Sequence, residues 1–398
     1  MVAIGPVEIA AVVRSLGMGQ LARYGVNGAS QTDKFEAELA AHMGAPYALA
    51  VNSGTSALLC AFSALGVGPG DEVLVPAYTW LSTAAAAVAV GAVPVLVEID
   101  ETLTMDPADL EAKITERSKV IVPVHMLNLP ADMDRIMEIA TRRGLFVVED
   151  ACQAIGVTHK GRKLGSIGDA GTYSFNQHKN IKSGEGGAVV FKEARHFQRA
   201  VMMHDVGSYT RDGFEASDEP AFVGLNLRMP ELCSAMLRPQ LRRLDKQMKK
   251  RAARRAMMLD AFGDRVGLAV SPHHDASNAV GLTVSFDDPA EAEHFAQARG
   301  VNRLIDTGRH VYSNWQPIME QRTVDARRNP WTESSVEYVE SCPNTIRILE
   351  RTCSVTLDPD VPMPAMKRIA AAIAEQSPMG ETVVDLAERR DRQQQAAG

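Results

Sequence analysis

Residues 47–66 read YALAVNSGTSALLCAFSALG, and the change of period within them decides the fold class. Tyr47 to Val51 is an apolar run of strand length, Asn52-Ser53-Gly54-Thr55 breaks it, and an Ala/Leu-rich helix follows as far as Gly66. Outward from there the alternation repeats. Glu72 to Val75, Pro94 to Ile99, Lys119 to Val124 and Leu145 to Glu149 read as buried strands. Ser82 to Val90, Pro107 to Glu116 and Ala131 to Arg143 read as the helices between them. Strands alternating with helices predict an α/β fold, a mainly parallel sheet sandwiched by helices. Upstream, Val7 to Leu16 and Ser30 to Met43 read as helices, the second with Phe35, Leu39 and Met43 in one stripe and a stop at Gly44.

Downstream, Thr172 to Phe175 and Gly187 to Phe191 read as short strands joined by a polar, Gly-rich loop. Glu231 to Phe262 reads as one long charged helix bridging to a smaller C-terminal α+β domain near Gly267. The expected division is therefore a large domain over 1–262, a small domain over 263–380 and a tail over 381–398, which has little to bury and is predicted to be disordered.

The 398 residues are 45% hydrophobic, enough for a large core. With 42 Lys+Arg against 49 Asp+Glu the net charge is -7, which argues against a broad cationic face for nucleic acid. The charged run RRLDKQMKKRAARRAMMLDAF (242–262) reads as a solvated helix face. Five scattered cysteines, with no CxxC pair, indicate neither a disulfide framework nor a metal site. No apolar stretch reaches membrane-span length, and Glu8 interrupts the N-terminal run, so a cytoplasmic protein without membrane partners is expected.

Three places could carry chemistry. Ser53-Gly54-Thr55-Ser56 lies where a strand end meets a helix start, so its amides and hydroxyls could hold a phosphate at the positive end of the helix. Asp150 ends the strand LFVVED, at the edge where parallel sheets bind ligands, and Gln153 follows three residues on. In SFNQHKNIKSGEGGAVVF (174–191), Lys179 follows a strand and precedes a glycine turn, where its amine could form a Schiff base with a carbonyl. Each has a plainer reading by itself: an N-cap, a helix cap, a surface lysine. Together with the aromatic Trp80 they are the parts needed to hold pyridoxal phosphate. The lysine would make the imine, the carboxylate would keep the pyridine nitrogen protonated, and the ring would stack on the cofactor face.

The same segments, with GDEVLVPAYTWLSTA (70–84), PVHMLNLPADMD (123–134) and GLNLRMPELCSAMLRPQL (224–241), resemble the DegT-type sugar aminotransferases, pyridoxal-phosphate enzymes of fold type I. Within that family the chain is similar to inosose aminotransferases and 3-amino-5-hydroxybenzoate synthases. The resemblance implies Lys179 as the Schiff-base lysine, Asp150 as the pyridine-nitrogen partner and Gln153 as a contact to the cofactor's phenolic oxygen. It implies Gly54, Thr55 and Ser174 as phosphate ligands and Trp80 as the stacking ring. Asn226 matches a residue that the family supplies to the neighbouring subunit's phosphate, which implies a homodimer with shared sites.

Some family members have His in place of the lysine and dehydrate their substrate. Here His178 is adjacent, but the SFxxxK spacing puts Lys179 in the position, which favours transamination. Asn128 stands where the family usually has Gly, at a turn facing the substrate. The HVYSNWQP segment (310–317) is expected to contribute His310, Tyr312 and Trp315 to the substrate pocket, although core packing of Tyr312 and Trp315 suits their character equally. The implied reaction moves an amino group from L-glutamate or L-glutamine to a keto-sugar or keto-cyclitol. A dehydratase or aromatising synthase of the same fold, and a non-catalytic sensor, are the alternatives.

Overall fold

The computed structural model describes residues 4–19, 21–24, 30–208, 219–262, 268–269, 271–357 and 361–375. The expected tail over 381–398 and the domain start near Gly267 lie outside them. Helix α1 (Pro6–Gly17) and helix α2 (Gln31–Met43) precede the sheet. Ser30 caps α2 by accepting from the Asp33 amide at 2.9 Å, and Gly44 ends it in the left-handed region at φ +66°, as a helix stop requires.

The sheet contains β1 (Tyr47–Val51), β2 (Glu72–Pro76), β3 (Val93–Val97), β4 (Ser118–Ile121) and β5 (Phe146–Asp150). A small hairpin of β6 (Thr158–His159) and β7 (Arg162–Lys163) stands apart, and β8 (Ala170–Ser174) and β9 (Gly187–Phe191) complete the sheet. The order is β1-β9-β8-β5-β4-β2-β3, and only β9 runs against the rest. Five-residue strands buried along their length explain why the sequence shows unbroken apolar runs instead of alternation.

Helices α3 (Gly54–Ala64) and α4 (Ser82–Ala89) cover one face, through Ala57, Ala61, Ala84 and Ala87. The other face carries α2, with α5 (Pro107–Lys113), α6 (Met133–Arg143) and, after α7 (Ala194–His204), α8 (Glu231–Arg242). Phe35, Leu110, Ile136 and Leu237 from these helices pack there into a second cluster. Burial of each large apolar side chain contributes about 1.5–3 kcal/mol, so these layers dominate stability.

The expected single helix over Glu231 to Phe262 is two: α8 ends at Arg242, and α9 spans Leu244–Phe262. Pro239 lacks the amide that would bond one turn back, weakening α8 just before the break.

The second sheet has β10 (Leu268–Ala269), β11 (Thr283–Ser285), β12 (Val301–Arg303) and β13 (Thr352–Val355), all antiparallel in the order β10-β11-β13-β12. Met258, Phe262, Val284, Phe295 and Ile373 form its core. The chain between β12 and β13 packs elsewhere. Leu304, Trp315, Trp331, Tyr338 and Leu349 join the cluster on the large sheet. Near the end of that stretch, the helix Pro343–Glu350 docks its N-terminus on the Glu98 carboxylate, with Asn344 N at 3.0 Å, Thr345 N at 2.7 Å and Thr345 Oγ1 at 2.6 Å. Among the described residues no helix is long and apolar enough to cross a membrane.

Candidate active site

A cavity of about 740 Å³ opens at the C-terminal ends of the parallel strands, lined by residues of α3, α4, β5, the β8–β9 loop, α9 and the 307–310 segment. Strand β5 delivers Asp150 to it. Asp150 Oδ2 accepts from Thr83 Oγ1 at 2.9 Å, and Oδ1 accepts from the Cys152 amide at 3.1 Å. Thr83 is in turn bonded to Thr79 at 2.9 Å. The carboxylate is therefore fixed in orientation before any ligand arrives.

The neighbouring Glu149 points to the opposite face of the sheet, as strand geometry requires. It is fully buried and accepts from the amides of Gly165, Ile167 and Gly168 at 2.6–2.8 Å. His125 Nδ1 accepts from the Ala131 amide at 3.1 Å, so Nε2 carries the proton and donates to Glu149 at 3.0 Å. Burial pushes the Glu149 carboxyl up, but His125 and the amides outweigh it and hold the group below its ordinary value. His125 N also donates to Asp150 O at 3.1 Å, tying this pair to the strand end that carries Asp150.

Across the cavity, Ser53 caps α3, accepting from the Ser56 amide at 3.0 Å. The amides of Gly54 and Thr55 and the Thr55 hydroxyl make no hydrogen bond among the described residues. A Cβ on Gly187 would stand 2.2 Å from Ser53 O, and one on Gly54 would stand 3.0 Å from Ser174 Cβ and from Cys152 Sγ. Glycine at both positions lets β9 and Ser174 close against the helix start, leaving a cradle of open donors at its positive end.

Lys179 sits in the β8–β9 loop and lines the cavity, with no partner for its amine among the described residues. Lys182 does not line it; its backbone is held by Gln240 at 3.0 and 2.8 Å. Gln153 lines the wall and accepts from the Leu127 amide at 3.0 Å. Leu127 and Asn128 are both in the left-handed region, at φ +53° and +63°. Asparagine tolerates that conformation best after glycine, which suits Asn128 to this turn.

An open anion cradle, a preset carboxylate, a free amine and an aromatic wall share one cavity, and this donor set fits the phosphate, ring nitrogen, aldehyde and ring face of pyridoxal phosphate. Residues 3–374 match the model of the DegT/DnrJ/EryC1/StrS aminotransferase family. The chain belongs to this family. It is 37% identical over 339 residues to the 3-amino-5-hydroxybenzoate synthase of Amycolatopsis mediterranei, covering 84% of this chain and 85% of that one. It is 39% identical over 249 residues to the L-glutamine:2-deoxy-scyllo-inosose aminotransferase of Streptoalloteichus tenebrarius, covering 60% and 58%. The crystal structure of S. venezuelae DesV superimposes with a TM-score of 0.74 at 32% identity, covering 92% and 93%.

Of the residues singled out in the sequence of this DegT-family chain, Gly54, Thr55, Trp80, Asp150, Gln153, Ser174, Lys179 and His310 all line the cavity. Trp80 is 38% exposed at the mouth, with the His310 ring 5.0 Å away and the Arg309 guanidinium 4.6 Å over its face. Tyr312 and Trp315 do not line the cavity, which corrects the expectation that they contact substrate. A tight turn over Tyr312–Asn314 rotates them inward. There Trp315 Nε1 donates to Arg309 O at 2.8 Å and the Tyr312 hydroxyl accepts from Cys342 N at 3.3 Å, so they support the wall from behind. Asn226 is exposed and lies outside the cavity of its own chain.

Sequence reasoning missed Thr83, the His125–Glu149 pair and Arg251. The charged run was read as a solvated face, yet Arg251 lines the cavity. The signal was present: Leu244, Met248, Arg251, Arg255 and Met258 recur every three or four residues, placing Arg251 on the buried stripe.

Proposed function

We propose that this chain is a pyridoxal-phosphate aminotransferase that moves an amino group from L-glutamate or L-glutamine to a ketone on a hydroxylated six-membered ring, a keto-sugar or keto-cyclitol. The observation that carries the reading is the unpaired Lys179 amine in one cavity with the preset Asp150 carboxylate. The cofactor, when bound, supplies an electron sink for the carbanion formed when an amino acid loses its α-proton.

The protein's residues do the rest. The open amides at Gly54 and Thr55, with Ser174, bind the phosphate and fix register. Lys179 Nζ would hold the cofactor covalently at rest and, once free, would serve as the base and acid that moves the donor's α-proton. Asp150 would keep the ring nitrogen protonated, and Thr83 keeps Asp150 aimed. Trp80 closes one face to water.

L-Glutamine or L-glutamate alone should convert the bound cofactor to its aminated form, followed by absorbance. That form should then aminate members of a panel of keto-sugars and keto-cyclitols, read by mass spectrometry. The likeness to a 3-amino-5-hydroxybenzoate synthase supports a second reading, an aromatising synthase. Turnover of a ring substrate with no donor, and no conversion by either amino acid, would replace the first reading with the second.

A homodimer with shared sites is part of the same proposal. Asn226 lies beside the exposed apolar residues Val206, Val223 and Leu225, which are 60%, 94% and 51% exposed in the single chain. Asn226→Ala is expected to weaken cofactor retention and shift the protein toward monomer as it is diluted. A monomer that keeps cofactor and full activity in sedimentation would remove the shared site.

A further inference from the structure

Two guanidinium groups line the cavity, Arg251 and Arg309, and among the described residues neither forms an ion pair. They differ in what surrounds them. Arg309 is exposed and rests on the Trp80 face, so water already solvates its charge. Arg251 is half-buried in the cavity wall. One terminal nitrogen donates to Asn180 Oδ1, while Nε is shut off from solvent with no acceptor and the other terminal nitrogen makes no hydrogen bond. Asn180 is itself held, donating to Asn128 Oδ1 at 2.7 Å and Ile155 O at 3.0 Å.

The two acids that line the cavity are engaged elsewhere: Asp150 with Thr83 and Cys152, and Glu185 with Asn176 Nδ2 at 3.2 Å. Burial pushes the Arg251 guanidinium down to about 10, which leaves it charged at neutral pH. Holding Asn180 in place needs one neutral donor. A half-buried cation facing the cavity, without a counter-ion among the described residues, is a poor structural element and a good anion receptor, because partial desolvation strengthens its attraction for any carboxylate that enters.

We propose that Arg251 is the carboxylate receptor of this cavity, taking a substrate carboxylate on the edge of its guanidinium not used by Asn180. Resting on the aminotransferase reading above, the source assigned is the α-carboxylate of the amino donor. A planar fork suits that group, and fixing the carboxylate beside Lys179 orients the donor's Cα toward the amine that takes its proton.

The test uses the holoenzyme, Arg251→Gln and Arg251→Lys. The glutamine variant retains a donor for Asn180 and loses the charge; the lysine variant retains charge without the fork. Glutarate, a dicarboxylate with no amine to react, is titrated by calorimetry. Its affinity should fall about 30-fold in Arg251→Gln, about 2 kcal/mol, and less in Arg251→Lys. Affinity within about threefold of the parent in both variants overturns the proposal.

Two kinetic arms identify the source. A rise in KM for L-glutamine in the donor half-reaction supports the donor. An unchanged donor KM, with weaker binding of a ring ketone that bears a carboxylate than of a neutral one, overturns the donor assignment and gives the carboxylate to the acceptor. Glutarate binding requires no turnover. Arg251-dependent binding in a protein that aminates nothing would therefore sink the aminotransferase reading alone.

Discussion

Lys179→Ala is expected to reduce turnover to background, a loss of at least about 10⁴-fold, because one substitution removes both the covalent anchor and the proton carrier. The effect should be confined to chemistry. The amine has no partner among the described residues, so its removal breaks no hydrogen bond or ion pair there and the thermal midpoint of the cofactor-free protein should stay near that of the parent. Borohydride reduction followed by peptide mapping should trap cofactor on Lys179 in the parent and nowhere in the variant. A trapped adduct on Lys182 would overturn the assignment, although Lys182 lies outside the cavity, fastened through its backbone to Gln240.

Asp150→Asn is expected to retain the cofactor yet lose about 10²–10³-fold in turnover, the usual cost of removing one preorganised charge from a developing charge. The amide can keep the geometry. Its oxygen can accept from the Cys152 amide, and the Thr83 hydroxyl can turn to accept from its nitrogen. What disappears is the negative charge that favours a protonated ring nitrogen. Near-parent turnover with full cofactor occupancy, measured by absorbance and steady-state kinetics, would remove Asp150 from the mechanism.

Much of this was legible because local chemistry and global fold agree. Apolar runs of strand length, Gly or Asn breaks and helical stripes located the strands of the large sheet to within three residues at their ends. The cavity wall followed from the same punctuation, since Ser53 and Asp150 stand at element ends and Lys179 in the loop between β8 and β9. Residues that act through tertiary contacts were harder to read. Thr83 reaches Asp150 across 67 positions, and nothing local distinguishes it from other threonines. Arg251 was hidden by its company: five other basic residues from Lys246 to Arg255 made the stretch look solvated, and only its phase relative to Leu244 and Met248 separates it. For Tyr312 and Trp315 the sequence left pocket and core equally open, and only the tertiary packing puts them in the core.

The path of the chain between β12 and β13 has a mechanical consequence. This excursion leaves the small sheet after Arg303, packs its indoles and tyrosines into the large core, and returns only at Thr352. His310 and Arg309 are thus fastened to the strand that leads to Trp80, through Thr79 N to His310 O at 3.0 Å and Leu81 N to Arg309 O at 3.2 Å. If the small sheet swings during a catalytic cycle, these two residues stay behind with the large one. Opening and closing would then be felt at α9, the helix that carries Arg251 near its middle and Phe262 of the small core at its end, and the mouth beside Trp80 would keep its width throughout.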